Sequence, residues 1–111
     1  MSKIDPIYAA IQEYREASAQ LVALGEERDA EQESRLLKAM ADAAREFAVT
    51  VPTTPAGAVD AVRFLCECYE EGDTILDTYL SEGRDVICRE AFFASLHKAM
   101  EEWFIAARAA A

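Results

Sequence analysis

Cysteine, histidine and carboxylate are the side chains here that could carry nucleophilic or metal chemistry. The cysteines are Cys66, Cys68 and Cys88, and the single histidine is His97. Nucleophilic catalysis needs a thiol beside a base that a third group orients. Cys88 and His97 fall on one helix, about 13 Å apart at 1.5 Å per residue, so they do not touch. Cys66 or Cys68 could reach His97 only through tertiary packing. Those two cysteines point to nearly opposite sides of a helix, which is neither a redox nor a zinc spacing. Buried, inert thiols are the expectation. His97 and Glu101 stand one helical turn apart, but metal centres in helical bundles use Glu-x-x-His units with further glutamates, and the chain has no such unit. His97 is therefore expected at the edge of an apolar face, paired with Glu101 or water. There is also no P-loop, no Gly-x-Gly-x-x-Gly and no Gly-x-Ser-x-Gly. These absences point away from an enzyme and imply no cofactor; a helical metal or small-ligand enzyme is the third choice among functions.

The carboxylates form two runs. Glu26, Glu27, Asp29, Glu31 and Glu33 make one; Glu67, Glu70, Glu71, Asp73 and Asp77 make the other. Neither has the acid spacing and central glycine of a calcium loop. With 21 acidic against 11 basic side chains the formal net charge is −10. Such a surface repels phosphate, which speaks against nucleic-acid binding. Acidic runs ordinarily keep a small protein soluble. The functional alternative is a surface that imitates phosphates and engages a basic protein, centred on Glu26, Glu27, Asp29, Glu31, Glu33, Glu70, Glu71 and Asp73.

The elements that must position these groups are all helical, because no stretch shows the strict alternation of a half-buried strand. A first helix starts at Asp5 with Pro6 in its opening turn, carries Ile7, Ile11, Tyr14, Leu21 and Leu24 inward with Ile4, Tyr8 and Val22 widening the stripe, and stops at Gly25. Asp29 or Ser34 caps a second, whose face is Leu37, Met40, Ala44 and Phe47 and which ends before Pro52. Its small residues permit close approach, so the first two helices should form an antiparallel hairpin. Thr54 and Pro55 open a third helix, predicted to turn Val59, Val62, Leu65, Cys66 and Tyr69 inward and to stop at Gly72. A short helix from Thr74 to about Ser81 would bury Ile75, Leu76, Tyr79 and Leu80, and Asp85 would cap the last helix.

That last helix is the most informative. Cys88, Phe92, Phe93, Leu96, Ala99, Met100, Trp103 and Phe104 fill an arc near half its circumference, where an ordinary surface helix needs only ~100°. The arc demands either two helix neighbours or one neighbour and a partner protein. Phe92, Phe93, Leu96, Met100, Trp103 and Phe104 are therefore candidate interface residues as well as candidate core.

A chain of 111 residues and 12.3 kDa is one domain in length, residues 1–111, with 1–4 and 106–111 expected to fray. Of its 52% hydrophobic content much is alanine, at 22 residues, and no window approaches the ~18 apolar residues of a membrane span. The first residues lack a signal-peptide pattern, and an odd cysteine count fits reduced thiols, so a cytoplasmic protein is expected.

The segments Asp5-Pro6-Ile7-Tyr8-Ala9-Ala10-Ile11 and Pro52-Thr53-Thr54-Pro55-Ala56-Gly57-Ala58, joined through a charged linker, resemble a group of short uncharacterised bacterial helical proteins. The likeness spans residues 5–65, and Asp73 to Arg84 departs from the pattern. It implies a bacterial, intracellular, all-helical domain and brings no activity. The expectation is thus an all-α bundle of four main helices and one short one. Its leading function is a non-enzymatic interaction module that self-associates, as a dimer, through an apolar helix face; its alternative is an acidic decoy or inhibitor of a basic partner, with no direct contact to nucleic acid or membrane.

Overall fold

Three of the four long helices begin at a side chain that accepts a hydrogen bond from the first turn. Asp5 takes the Ile7 N–H at 3.1 Å, Asp29 takes Glu31 N–H at 3.0 Å, and Thr54 takes Gly57 N–H at 3.0 Å. These caps satisfy donors that a helix start would otherwise leave unpaired. In the computed structural model, which describes residues 4–26, 29–73, 75–77 and 87–110, the elements are α1 (Pro6–Ala23), α2 (Ala30–Val49), α3 (Pro55–Glu70), a 3₁₀ turn (Ile75–Asp77) and α4 (Cys88–Ala110). The expected all-α bundle of four main helices and one short one is what forms, with no strand among the described residues. Gly25, at φ 68°, gives the left-handed stop after α1.

Cross-links set the direction of each helix. Tyr8 donates to Asp60 at 2.7 Å and Arg15 pairs with Glu67 at 3.2 Å, so α1 and α3 run the same way. The short link between α1 and α2 makes them the expected antiparallel hairpin, packed along their length. α4 leaves the 3₁₀ turn through an Arg89–Asp77 pair, stacks Phe92 on Phe47 at 5.4 Å and, a turn later, sends the Ser95 hydroxyl to the Ala48 carbonyl. It therefore descends beside α2, and the bundle is up-down-up-down.

Aromatic rings tie the four helices together. Tyr14 of α1 meets Phe64 of α3 edge-on at 5.9 Å, Phe64 meets Phe47 of α2 at 5.4 Å, and Phe47 stacks on Phe92 of α4. Such pairs add about 0.5–1.5 kcal/mol each beyond their burial. Around this ladder pack Ile7, Ile11, Ala44, Ala48, Ala61, Leu65, Ile75, Leu76 and Cys88.

Several sequence expectations are corrected here. Gly57, Ala58, Ala61, Phe64, Leu65 and Cys68 face inward on α3, whereas Val59, Val62, Cys66 and Tyr69 face out. The reason is distance: glycine and alanine let the start of α3 come close to α1, and branched valines on that face would hold the helices apart. Ile4 and Val22 are exposed and do not widen the α1 stripe, and Leu37 is half exposed at the rim of a cleft with Tyr14 and Ile75, while Leu36 turns toward Leu24 at the end of α1. Tyr8 also stays exposed and bonds to α3 through its hydroxyl. Ile75 and Leu76 are buried as expected, while Tyr79, Leu80 and Asp85 lie outside the described residues. The first helical bond of α4 is accepted by Ile87, which holds the cap position.

One carboxylate joins the starts of α1 and α3. Asp5 is 3% exposed, and its Oδ2 accepts the N–H groups of Thr53 and Thr54 at 3.0 Å each and the Thr54 hydroxyl at 2.8 Å. A Cβ on Gly57 would collide with that carboxylate, so glycine is required there by space. Burial alone would raise the Asp5 pKa; hydrogen bonds from Ile7, Thr53 and Thr54 outweigh it and hold the pKa below the ordinary 3.8. A lowered folded pKa adds stability above the unfolded value that is lost as pH falls through the folded one. Replacing Asp5 by alanine should cost roughly 3 kcal/mol in urea unfolding at neutral pH, a lost cap plus stranded donors. The variant Asp5→Asn should lose less stability than wild type on acidification below about pH 4. An identical acid profile in the two would remove Asp5 as the titrating group.

Candidate interaction surface

Three of the four sides of the bundle are closed. α1 packs on α2, α2 on α4 and α1 on α3, but α3 and α4 make little contact. The 3₁₀ turn plugs the upper part of that fourth side with Ile75 and Leu76, both 2% exposed. Below the plug a groove of about 410 Å³ stays open, lined by Pro55, Ala58, Val59 and Val62 of α3 and by Leu96, Met100 and Trp103 of α4. Its lining contains no charged side chain.

The apolar surface continues along α4. Phe93 is 58% exposed, Met100 56% and Phe104 63%, and residues 104–110 are exposed throughout. Of the candidate interface residues read from sequence, Phe92 is core, at 2% exposure, because it stacks on Phe47. Phe93, Leu96, Met100, Trp103 and Phe104 lie together on the flank that faces the groove or solvent. Pro55, Val59 and Val62 complete this surface, although periodicity alone places the two valines in the core. The sequence does carry a signal for them: apolar residues extend around more of α3 than one core face requires.

The acidic residues gather at the other end. Glu26, Asp29, Glu31 and Glu33 stand at the link from α1 to α2, and Glu70, Glu71 and Asp73 at the end of α3. Since α1 and α3 run parallel, both sets lie toward the same pole; Glu27 lies outside the described residues. Tyr14 donates to Asp73 at 2.6 Å, and burial followed by this bond pushes its phenol pKa well up. A second acidic feature lies along the hairpin, where Glu13 and Glu16 face Asp42 and Glu46 across a groove floored by Ala17, Ala39 and Ala43.

The groups with nucleophilic or metal chemistry do not converge. Cys68 is buried and its thiol is pushed up to about 11 by burial first, then by Asp73 and Glu71. Burial also raises Cys88, while Cys66 is exposed on the outer side of α3. His97 is exposed and sits 3.8 Å from Glu101, as expected from their spacing. Among the described residues no group of three or more His, Cys, Asp or Glu is arranged to hold a metal ion, and no helix is long and apolar enough to cross a membrane. Comparison with family models, curated proteins and solved structures finds no match to this chain.

The thiols give a direct check on this geometry. An uncharged thiol reagent at pH 8 should modify Cys66 within the time that leaves Cys68 and Cys88 intact, because thiolate and exposure are both needed for attack. Equal rates at all three in the native protein would contradict the packing of α3.

Proposed function

We propose that this protein is a non-enzymatic interaction module that self-associates through the apolar surface of α3 and α4. The observation that carries the reading is the open, uncharged groove, which continues into exposed aromatic side chains. The exposed parts of Phe93, Phe104, Met100, Val59 and Val62 amount to roughly 500 Å², taking 150–250 Å² for a whole aromatic side chain. That is at the upper end of the patch a monomer leaves open, about 300–600 Å². It is also more than half of the about 800 Å² each partner brings to a standard interface.

Charge supports the same surface. Lys98 and Arg108 balance Glu101 and Glu102 on this part of α4, and Arg63 balances Asp60 on α3, in a chain of net charge −10. A second copy meets a neutral face there, whereas anywhere near the acidic pole it meets like charge. Uncharged, aromatic and methionine-bearing surface is the composition of interface centres.

A second reading, an acidic module for a basic partner, draws on the facing carboxylates of the α1–α2 groove. It would show as binding of a basic protein that weakens steeply between low and physiological salt.

Absolute mass by light scattering over a range of concentrations tests the first reading. Wild type should reach twice 12.3 kDa. Met100→Glu and Phe104→Glu on α4 should each return it to monomer while circular dichroism keeps its helical signal, since both side chains are more than half exposed. A wild-type monomer at every concentration would end the reading.

A further inference from the structure

The surface on α4 has a pattern that specifies how a second copy sits on it. His97, Met100, Phe104 and Ala107, with Phe93 a turn earlier, follow the four-and-three spacing of a coiled-coil seam. Leu96 and Trp103, seven residues apart, form the edge of the seam that faces the α3 groove. Glu101 and Arg108, also seven apart, form its other edge. All of these except the partly covered Leu96 and Trp103 are exposed. The Arg108 guanidinium lies 5.7 Å over the Phe104 ring, with no carboxylate partner among the described residues.

From this pattern, and resting on the self-association reading, we infer that two copies pair antiparallel along the C-terminal half of α4, with Glu101 of each facing Arg108 of the other. In an antiparallel two-fold pair, like edges of the two helices meet. Residues 101 and 108 then face each other when the two-fold axis passes close to position 105. At that register Phe104 lies against Ala107 of the second copy and Trp103 beside its Ala110, large side chains over small ones. A parallel pair would instead set the Glu101 edge against Leu96 and Trp103, leaving both charges without partners across the seam.

The shape and charge of the molecule favour the same geometry. The chain is 60 Å long with a radius of gyration of 15.9 Å, against about 13 Å for a chain this size. The last turns of α4 project from the end opposite the acidic pole, so they are reachable by another molecule. Antiparallel pairing there leaves the two acidic poles at opposite ends of the dimer, far beyond the ~8–10 Å screening length. Parallel pairing would bring them side by side.

Charge exchange tests the pairing separately from self-association. Glu101→Arg sets guanidinium against guanidinium at both contacts, and Arg108→Glu sets carboxylate against carboxylate. Each variant alone should therefore dimerise about tenfold more weakly at low salt. An equimolar mixture of the two variants should recover a dimer. Native mass spectrometry should find it to be the mixed species, because that pairing relieves the repulsion present in either homodimer. The double variant Glu101→Arg/Arg108→Glu should dimerise as wild type does. Circular dichroism checks that each variant keeps its helices. A wild-type dimer that ignores the single exchanges, or a mixture that stays unpaired, would overturn the antiparallel pairing while self-association stands. A wild-type monomer would overturn both.

Discussion

The Asp5 carboxylate is the interaction on which the rest of this bundle depends. One oxygen caps α1 and the other gathers the two N–H groups and the hydroxyl of Thr53–Thr54, so a single charge closes the starts of two parallel helices. The arrangement is favourable on electrostatic grounds as well, because the positive ends of both helix dipoles face the same anion. It also sets how near α3 comes to α1, and Gly57 is the residue that permits this approach. With that spacing fixed, Ala58 and Ala61 fill the gap and Phe64 reaches the middle of the core.

The open fourth side follows from the same constraint. Drawing α3 toward α1 leaves α4 with α2 as its helical neighbour, and the aromatic ladder through Phe47 bridges the diagonal. Ile75 and Leu76 occupy the space at one level, and no described residue of comparable size occupies it lower down. The second apolar face of α3 and the flank of α4 are thus left bare by geometry, although each helix has spent another face on the core. In a chain this small, that much uncovered apolar surface is costly in water unless something covers it. A second copy is the partner the charge distribution favours.

Polarity along the long axis links fold to proposed role. The connection between α1 and α2 and the end of α3 collect carboxylates at one pole, while the opposite pole is neutral and apolar. The proposed association uses the apolar end and leaves the acidic end facing water. The buried thiols of Cys68 and Cys88 lie apart from the exposed His97–Glu101 pair on α4.

The sequence by itself determined the four long helices, the caps of α1 and α3 and the hairpin, and narrowed the α2 cap to Asp29 or Ser34. Asp5-Pro6, Asp29 and Thr54-Pro55 act on the first turn that follows them, and their effect is local enough to read from neighbours in the chain. It also marked α4 as too broadly apolar for one neighbour. It could not say which of the two apolar faces of α3 would turn inward, and hydrophobicity pointed to Val59 and Val62. Tertiary structure decided for the face with glycine and alanine, because close packing against α1 rewards small side chains and the Asp5 carboxylate leaves no room for a Cβ at position 57. The same decision separated Phe92, in the core, from Phe93, at the surface, and brought residues of α3 and α4 from distant parts of the chain to one groove. Periodicity within a helix cannot contain that information, since it depends on how far apart two helices are held.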